Sequence, residues 1–236
     1  MDPQQRAIAE EFDRYRESYD QAVNRAIAFS GQKVEAFTRA KAHDLLRTIA
    51  SHFESTKRLS VLDVGCGIGN YHPFLTPVVG SVSGVDVSSA CIAKAQERNP
   101  AVSYSAYDGG RLPYPDGNFD VAFCICVIHH VPPDRWQQFV NEMRRVTRAK
   151  GLIVVYEHNP MHPLTRKVVH DCEFDRDAVL LTMAQSRALL ENAGCAEVTT
   201  RSILTLPPMG AFVERLDGLF ARLPFGSQYR AIGHVK

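Results

Sequence analysis

Five short apolar runs in the middle of the chain constrain its fold more than any other feature. They lie at residues 61–64, 82–87, 102–107, 119–127 and 152–156. Runs of this kind are typical of strands that are buried on both faces of a parallel sheet. Helix signals separate them, including a capping pair at 88–89 and an amphipathic stripe at 136–146 that stops at Gly151. The alternation predicts a doubly wound, mostly parallel α/β sheet.

The two ends of the chain depart from this alternation. Apolar residues at three- or four-residue steps predict one helix within the first thirty residues and a second at 42–53. After the fifth run we predict a helix at 183–192, a strand at 197–206, a helical patch at 211–223 and a strand at 229–235. Two late strands separated by an insertion favour an antiparallel hairpin at the edge of a seven-stranded sheet.

Composition and charge argue against several classes of protein. Lys and Arg number 27 against 26 Asp and Glu, so no basic excess favours a nucleic-acid partner. The charged first residues have no secretory pattern, and the longest apolar run, 121–128, is too short to span a bilayer. Six scattered cysteines without a CxxC pair favour reduced thiols. We therefore expect a cytoplasmic protein with no membrane partner, either a monomer or a homodimer.

A dense glycine cluster follows the first predicted strand, in the stretch VLDVGCGIGNY at 61–71. Ligands of open parallel sheets bind beyond the carboxyl ends of the strands, so we expect the backbone amides of this loop to be free for an anion or a carboxylate. A dinucleotide site requires the spacing GxGxxG. Counting from Gly65 or Gly67 puts Asn70 or His72 at the third glycine position. The spacing found, GxGxG, argues against a dinucleotide.

Three acidic residues complete a recognisable pattern around this loop. Asp63 precedes the first glycine by two positions, Asp86 ends the second predicted strand, and Asp108 follows the third. With the blocks FDVAFCICVIHHV and VTRAKGLIVVYEH, in this order and spacing, the stretch 55–160 resembles the class I S-adenosylmethionine-dependent methyltransferases.

The resemblance implies S-adenosylmethionine as the cofactor and S-adenosylhomocysteine as the product. It places Asp86 on the ribose hydroxyls, which suits a carboxylate because its two oxygens accept two hydrogen bonds side by side. It places Asp108 near the adenine amino group. The alternatives are that Asp86 caps the following helix with Ser88, and that Asp108 is only a turn residue. The cofactor-binding residues that we predict are Tyr19, Asp63, Gly65, Cys66, Gly67, Gly69, Asn70, Asp86, Val87, Asp108, Gly109 and Cys126.

Histidines lie at the same edge of the predicted sheet and are the candidates for catalysis. His129 and His130 follow the fourth strand, and His158 follows the fifth. Because histidine titrates near neutral pH, we predict His130 as the general base, with His129 and His158 as the other candidates. The alternative is that these histidines cap helices or fix loops. Tyr19 in the first helix either faces the sulfonium of the cofactor or packs in the core.

A metal site is a further interpretation of the fourth strand, since Cys124, Cys126, His129 and His130 are close in sequence. The two cysteines project to the same face of a strand. Their neighbours are apolar, however, and paired ligands with zinc-like spacing are missing. We therefore predict no metal site.

These observations predict one methyltransferase domain over residues 1–236. Residues 1–55 form a helical cap, 56–158 the cofactor-binding core, and 159–236 the acceptor-pocket elements and edge strands. The expected acceptor is a small molecule, methylated on oxygen in the first place and on nitrogen in the second. The alternatives are a nicotinamide-dependent dehydrogenase, which the missing third glycine argues against, and a non-catalytic protein that binds S-adenosylmethionine.

Overall fold

The computed structural model describes residues 10, 24, 25, 27, 32–172, 175, 177–206, 208 and 225–236. Its helices are α1 Val34–His52, α2 His72–Leu75, α3 Ser89–Arg98, α4 Trp136–Val146, α5 Pro163–Asp171 and α6 Met183–Asn192. Its strands are β1 Ser60–Val64, β2 Ser81–Asp86, β3 Ser103–Ala106, β4 Phe119–Ile125, β5 Thr147–His158, β6 Cys195–Ile203 and β7 Gln228–Val235. The predicted helical patch at 211–223, most of the predicted first helix and Tyr19 lie outside the described residues.

The strands form one seven-stranded sheet in the order β3-β2-β1-β4-β5-β7-β6. The pairs from β3 to β5 are parallel, whereas β7 runs antiparallel to both β5 and β6. This confirms the doubly wound sheet and the antiparallel edge hairpin. The strand order reverses at β1, which pairs with β2 on one side and with β4 on the other. A crevice at the carboxyl ends of β1 and β4 is the expected ligand position in such a sheet.

Two strand boundaries differ from the sequence-based prediction for local reasons. β5 begins at Thr147, five residues before the predicted run at 152–156. Residues 148–150 at its start are exposed and polar, so a search for apolar runs does not find this part of the strand. β4 ends at Ile125, two residues earlier than predicted. Cys126 has a φ of 57°, which breaks the extended backbone and directs the chain into the 3-10 turn Ile128–His130.

The sheet is buried on both faces. One core cluster joins β1, β4 and β5 to α4 and α6, and the other joins the same strands to α1. Polar contacts fix α1 on its face, since Asp44 accepts hydrogen bonds from the Tyr156 hydroxyl at 2.8 Å and from Arg230 at 2.6 Å. Lys41 lies less than one turn before Asp44, so the same anchor positions its side chain at the ligand edge. None of the described helices has the length and apolar character needed to cross a bilayer.

Candidate functional site

The glycine loop uses its backbone amides inside the protein. The amides of Gly65 and Cys66 donate to the Val85 carbonyl at 2.8 and 3.1 Å, which continues the β1–β2 pairing into the loop. The amide of Gly69 donates to the Cys66 carbonyl at 3.0 Å. The prediction of amides free for an anion was therefore wrong for these three residues. The parallel pairing of β1 with β2 thus extends beyond the end of β1 into the glycine loop and holds the loop backbone in place.

Two glycines show why the loop has no side chains. Gly65 has a φ of +78°, and a Cβ there would lie 2.6 Å from the Val127 side chain, so the loop packs against the end of β4. Gly67 has a φ of +51°, and a Cβ there would meet nothing within 4 Å. The loop is closed at Gly65 and open at Gly67. The opening fits a ligand that approaches the backbone closely.

Asp86 joins the loop to the start of α3. Its Oδ2 accepts the Gly67 amide at 2.8 Å and its Oδ1 accepts the Ser88 amide at 2.9 Å. The helix cap itself is Ser88, whose hydroxyl accepts the Cys91 amide at 3.0 Å. Burial raises the pKa of Asp86 to about 6, although the two amide hydrogen bonds oppose the shift. Each carboxylate oxygen keeps a second lone pair, so Asp86 can accept hydrogen bonds from a vicinal diol while it still accepts those of the two amides.

Asp63 and Asn70 are bound to protein groups rather than directed into the opening. Asp63 is buried, and its Oδ2 lies 3.1 Å from Nε2 of His72, whose Nδ1 lies 2.5 Å from the Tyr104 hydroxyl. Burial raises the pKa of Asp63. The Asn70 side chain accepts a hydrogen bond from Arg98 at 2.7 Å. These contacts shape the loop from behind, and a direct cofactor contact by either residue stays a prediction.

Asp108 has the geometry of a turn residue, which was the alternative to a contact with the adenine amino group. It is exposed, and its Oδ1 accepts the Gly110 amide at 2.9 Å. Gly109 between them has a φ of +79°. Val87, which precedes the Ser88 cap, is half-buried. Roles for these residues at the cofactor stay predictions.

A cationic side chain that the sequence did not indicate lies beside the loop. Nζ of Lys41 is buried, 3.8 Å from Sγ of Cys126 and 5.7 Å from the ring centroid of Tyr71. Burial raises the pKa of the Cys126 thiol, but Lys41 and His158 lower it by more than burial raises it, so the net shift is downward. Burial lowers the pKa of Lys41, yet Cys126 and Tyr71 reverse this and raise it overall. The predicted cofactor residue Cys126 thus belongs to a polar cluster at the ligand edge.

The three predicted catalytic histidines lie together, and two carboxylates that we did not predict hold them. Nδ1 of His129 lies 2.5 Å from Oε2 of Glu157, and its Nε2 lies 3.6 Å from Oδ1 of Asp175. Nε2 of His130 lies 3.3 Å from the same Asp175 oxygen. The ring of His158 lies 5.2 Å from that of His129 between centroids. The other oxygen of Glu157 is also used, because Oε1 accepts the backbone amides of Val127 and Ile128 in the turn that carries the histidines.

The histidines differ in protonation for physical reasons. Burial lowers the pKa of His129, but Glu157 and Asp175 raise it well above the usual range. Burial and the neighbouring His129 lower the pKa of His130. Burial lowers the pKa of His158 and Cys126 raises it, with a net upward shift. The two carboxylates beside His129 thus raise its pKa, and roles for the three histidines in catalysis stay predictions.

Glu157 directly precedes His158 in the sequence and could have been found from that neighbourhood. Asp175 follows α5, on a segment with no pattern of its own, and Lys41 lies among the apolar residues of α1. Only the folded chain brings them to the edge.

Comparisons with known proteins agree with the fold and the loop. Residues 62–155 match the family model described as a methyltransferase domain. The chain is 28% identical over 194 residues to 2-methyl-6-phytyl-1,4-hydroquinone methyltransferase of Synechocystis sp., covering 75% of the chain and 59% of the relative. It is 32% identical over 126 residues to norajmaline N-methyltransferase of Rauvolfia serpentina, covering 50% and 42%. It is 26% identical over 175 residues to 27-O-demethylrifamycin SV methyltransferase of Amycolatopsis mediterranei, covering 67% and 62%.

These alignments cover between 42% and 62% of the relatives' own lengths. Among solved structures, a possible histamine N-methyltransferase from Thermotoga maritima matches with a TM-score of 0.69 at 18% identity, covering 95% of this chain and 98% of that one. At this identity the match concerns the fold, which is that of S-adenosylmethionine-dependent methyltransferases. The part of the chain that matches the methyltransferase domain model, residues 62–155, contains the glycine loop and the strand-end acids within the seven-stranded sheet.

Proposed function

We propose that the protein is an S-adenosylmethionine-dependent methyltransferase that acts on a small molecule. The observation that carries the proposal is the opening at Gly67 beside the Asp86 carboxylate, at the reversal of strand order. S-adenosylmethionine, when bound there, supplies a methyl group on a positively charged sulfur. The residues of the chain have to hold the cofactor, position the acceptor and take up its proton.

Asp86 holds the ribose end of the cofactor in this proposal. Its oxygens are fixed by the Gly67 and Ser88 amides, so the carboxylate is oriented before the ligand arrives. A fixed acceptor loses little freedom when it binds a diol, which favours affinity.

Lys41 is the candidate for the amino-acid end of the cofactor. Among the described residues, no carboxylate lies within ion-pair distance of its buried ammonium group, and its contacts are a thiol and an aromatic ring. A buried charge is costly unless it is paired. The carboxylate of a bound amino acid supplies such a partner, at the side of the loop formed by Tyr71.

The histidine cluster faces the acceptor. His130 is more exposed than His129, with 15% of its side chain accessible against 1%. A hydroxyl placed against His130 can pass its proton to the imidazole as the new carbon–oxygen bond forms, while Asp175 holds the ring. A neutral amine needs no base before it attacks, so a cluster of bases favours oxygen over nitrogen as the acceptor atom. The names of the relatives include both an N-methyltransferase and a methyltransferase of a 27-O-demethyl compound.

Thermal unfolding with added ligands tests the cofactor. S-adenosylhomocysteine should raise the melting temperature, because a ligand that prefers the folded state stabilises it by mass action. NADP at the same concentration is the control and should give no comparable shift. A shift with NADP and none with S-adenosylhomocysteine would refute the proposal in favour of a dehydrogenase.

Turnover tests the enzyme against the alternative of a non-catalytic binding protein. Hydroxyl- and amine-bearing acceptors are screened with a coupled assay for the release of S-adenosylhomocysteine. Acceptor-dependent release supports the proposal and identifies the acceptor atom. A melting shift without release on any acceptor favours the binding protein.

A further inference from the structure

Three side chains from two separate segments converge beside the acceptor region. One ring nitrogen of His129, one of His130 and a carboxylate oxygen of Asp175 all lie within 4.8 Å of one another. Asp175 Oδ1 is 3.6 Å from Nε2 of His129 and 3.3 Å from Nε2 of His130. A tetrahedral Zn²⁺ with bonds of about 2.0–2.2 Å holds its ligand atoms about 3.3–3.6 Å apart. Both measured distances match this spacing.

His129 provides an independent sign that a ligand is missing from the cluster. Its side chain is 1% accessible, and its Nε2 has no hydrogen-bond partner among the described residues. A buried polar nitrogen without a partner is costly. The Nδ1 of the same ring is held by Glu157 at 2.5 Å, which presents the Nε2 lone pair toward Asp175 when the ring is neutral. Metal-ligating histidines almost always have such an outer carboxylate or carbonyl partner.

We propose that His129, His130 and Asp175 bind one divalent cation of the zinc type, with Glu157 as the outer partner of His129. Two imidazoles and one carboxylate suit Zn²⁺ and related first-row ions, whereas Mg²⁺ prefers oxygen ligands. The sequence prediction of no metal site considered Cys124 and Cys126 as the partners of the histidines. The thiol of Cys126 lies instead beside Lys41, and the third ligand is a carboxylate from beyond α5.

The cation would have an open position for the methyl acceptor. Three protein ligands leave one tetrahedral position, as in catalytic zinc sites, and the partial exposure of His130 places the access to the cluster on that side. An acceptor hydroxyl bound there becomes more acidic and loses its proton to water. Its oxygen then forms the bond to the methyl carbon while the carbon–sulfur bond breaks, and the sulfonium becomes a neutral thioether. This role rests on the proposed function and replaces the proton transfer to His130 in it. Cation binding itself does not rest on the proposed function.

Metal content and calorimetry test the site in the full chain. Protein freed of metal by dialysis against EDTA is titrated with ZnCl₂, and the metal that survives gel filtration is quantified. We expect one Zn²⁺ per chain, with no comparable binding of MgCl₂. Asp175→Ala should weaken binding by at least about 100-fold and Glu157→Gln by about 10- to 100-fold. The matched controls Asp177→Ala and His170→Ala, both at exposed positions near α5, should bind like the wild type.

The outcomes separate the cation from other causes. Cys126→Ser should keep the Zn²⁺ site, and its loss in that variant with full binding in Asp175→Ala would overturn the proposal. So would a wild-type protein that retains no Zn²⁺, in which case the cluster is a buried ion network and His130 remains the candidate base. Each variant is also titrated with S-adenosylhomocysteine, which shows that the fold is intact. Zn²⁺ binding without S-adenosylhomocysteine binding refutes the proposed function alone, and the reverse result refutes the cation site alone.

Discussion

The two halves of the ligand edge are built in opposite ways. At the glycine loop, charged and polar groups are paired with other protein groups, as Asp86 is with the amides of Gly67 and Ser88. At the histidine cluster, charged groups from β5, from the turn after β4 and from beyond α5 surround His129, whose Nε2 has no hydrogen bond within the described residues. The polar groups of the first half are paired within the protein, whereas for the second half we propose a cation as the further partner.

The difference indicates how the two halves contribute to function. A frame that satisfies its own polar groups keeps its shape without the ligand, which reduces the ordering cost of cofactor binding. A cluster with several buried charges is sensitive to the removal of any one of them. We therefore expect mutations to act mainly on affinity at the loop and mainly on stability at the histidines.

The largest expected effect is on stability, at Glu157. Glu157→Gln removes the negative charge beside the buried His129 ring while keeping the shape of the side chain. Breaking a buried ion pair by removing one partner costs about 3–5 kcal/mol. Urea denaturation in the presence of EDTA measures the free energy of unfolding without metal.

The matched control for this variant is Glu191→Gln, which removes an exposed partner of Arg187. An exposed pair contributes about 0–1 kcal/mol, so this change should be small. Equal losses in the two variants would mean that burial of Glu157 has no special weight.

A smaller effect is expected at Asp86, on cofactor affinity. Asp86→Ala removes an acceptor that is charged and already oriented, so S-adenosylhomocysteine should bind about 10- to 100-fold more weakly. Asp86→Asn should lose less, because one acceptor oxygen remains. Isothermal calorimetry measures both, with the exposed residue Asp134 changed to alanine as the control. Unchanged affinity in Asp86→Ala would reduce the residue to a support of the loop.

The same comparison explains what the sequence could reveal. The loop, Asp86 and the Ser88 cap lie near one another in sequence, and the family resemblance of this stretch implied that the loop and Asp86 form one site. The doubly wound, mostly parallel sheet followed from alternating strands and helices, and the edge hairpin from the late strands. Asp175 and Lys41 reach the edge from α5 and α1 through long-range packing, which no local spacing records. The use of the loop amides was also missed, because strand pairing continues past the last apolar residue.

Cys126 lies beside both the glycine loop and the histidine cluster, and its thiol should be more reactive than those of the other cysteines. Its thiol is half-buried beside Lys41, whereas the other five cysteines are buried, and its pKa is lowered by Lys41 and His158 against the effect of burial. Because the thiolate is the nucleophile, iodoacetamide at pH 7 should modify Cys126 about tenfold faster than the other cysteines. Mass spectrometry of peptides at short reaction times measures each rate.

Lys41→Met should slow the modification of Cys126, and Lys94→Met on α3 is the control. S-adenosylhomocysteine should protect the thiol if Cys126 contacts the cofactor. Uniform reactivity of all six cysteines would contradict the charge arrangement at this point of the edge.

The smallest expected effect is a pH dependence of stability, which tests whether burial of the Asp86 carboxylate destabilises the folded state. Burial raises the pKa of Asp86 from 3.8 to about 6, with Asp63 adding to the shift. The folded state therefore binds a proton more tightly than the unfolded state, and this group makes the protein more stable as pH falls through 6 toward 4. Between pH 7 and pH 5 the gain is about 1 kcal/mol. Asp86→Asn has no such proton, so the free energy of unfolding of the wild type minus that of the variant should rise by this amount on acidification.

Cys66 and Tyr107, which face the carboxylate, have raised pKa values because of burial and stay neutral across this range. A difference between wild type and variant that is flat from pH 7 to pH 5, or that falls, would show that the two amides stabilise the Asp86 carboxylate more than burial destabilises it.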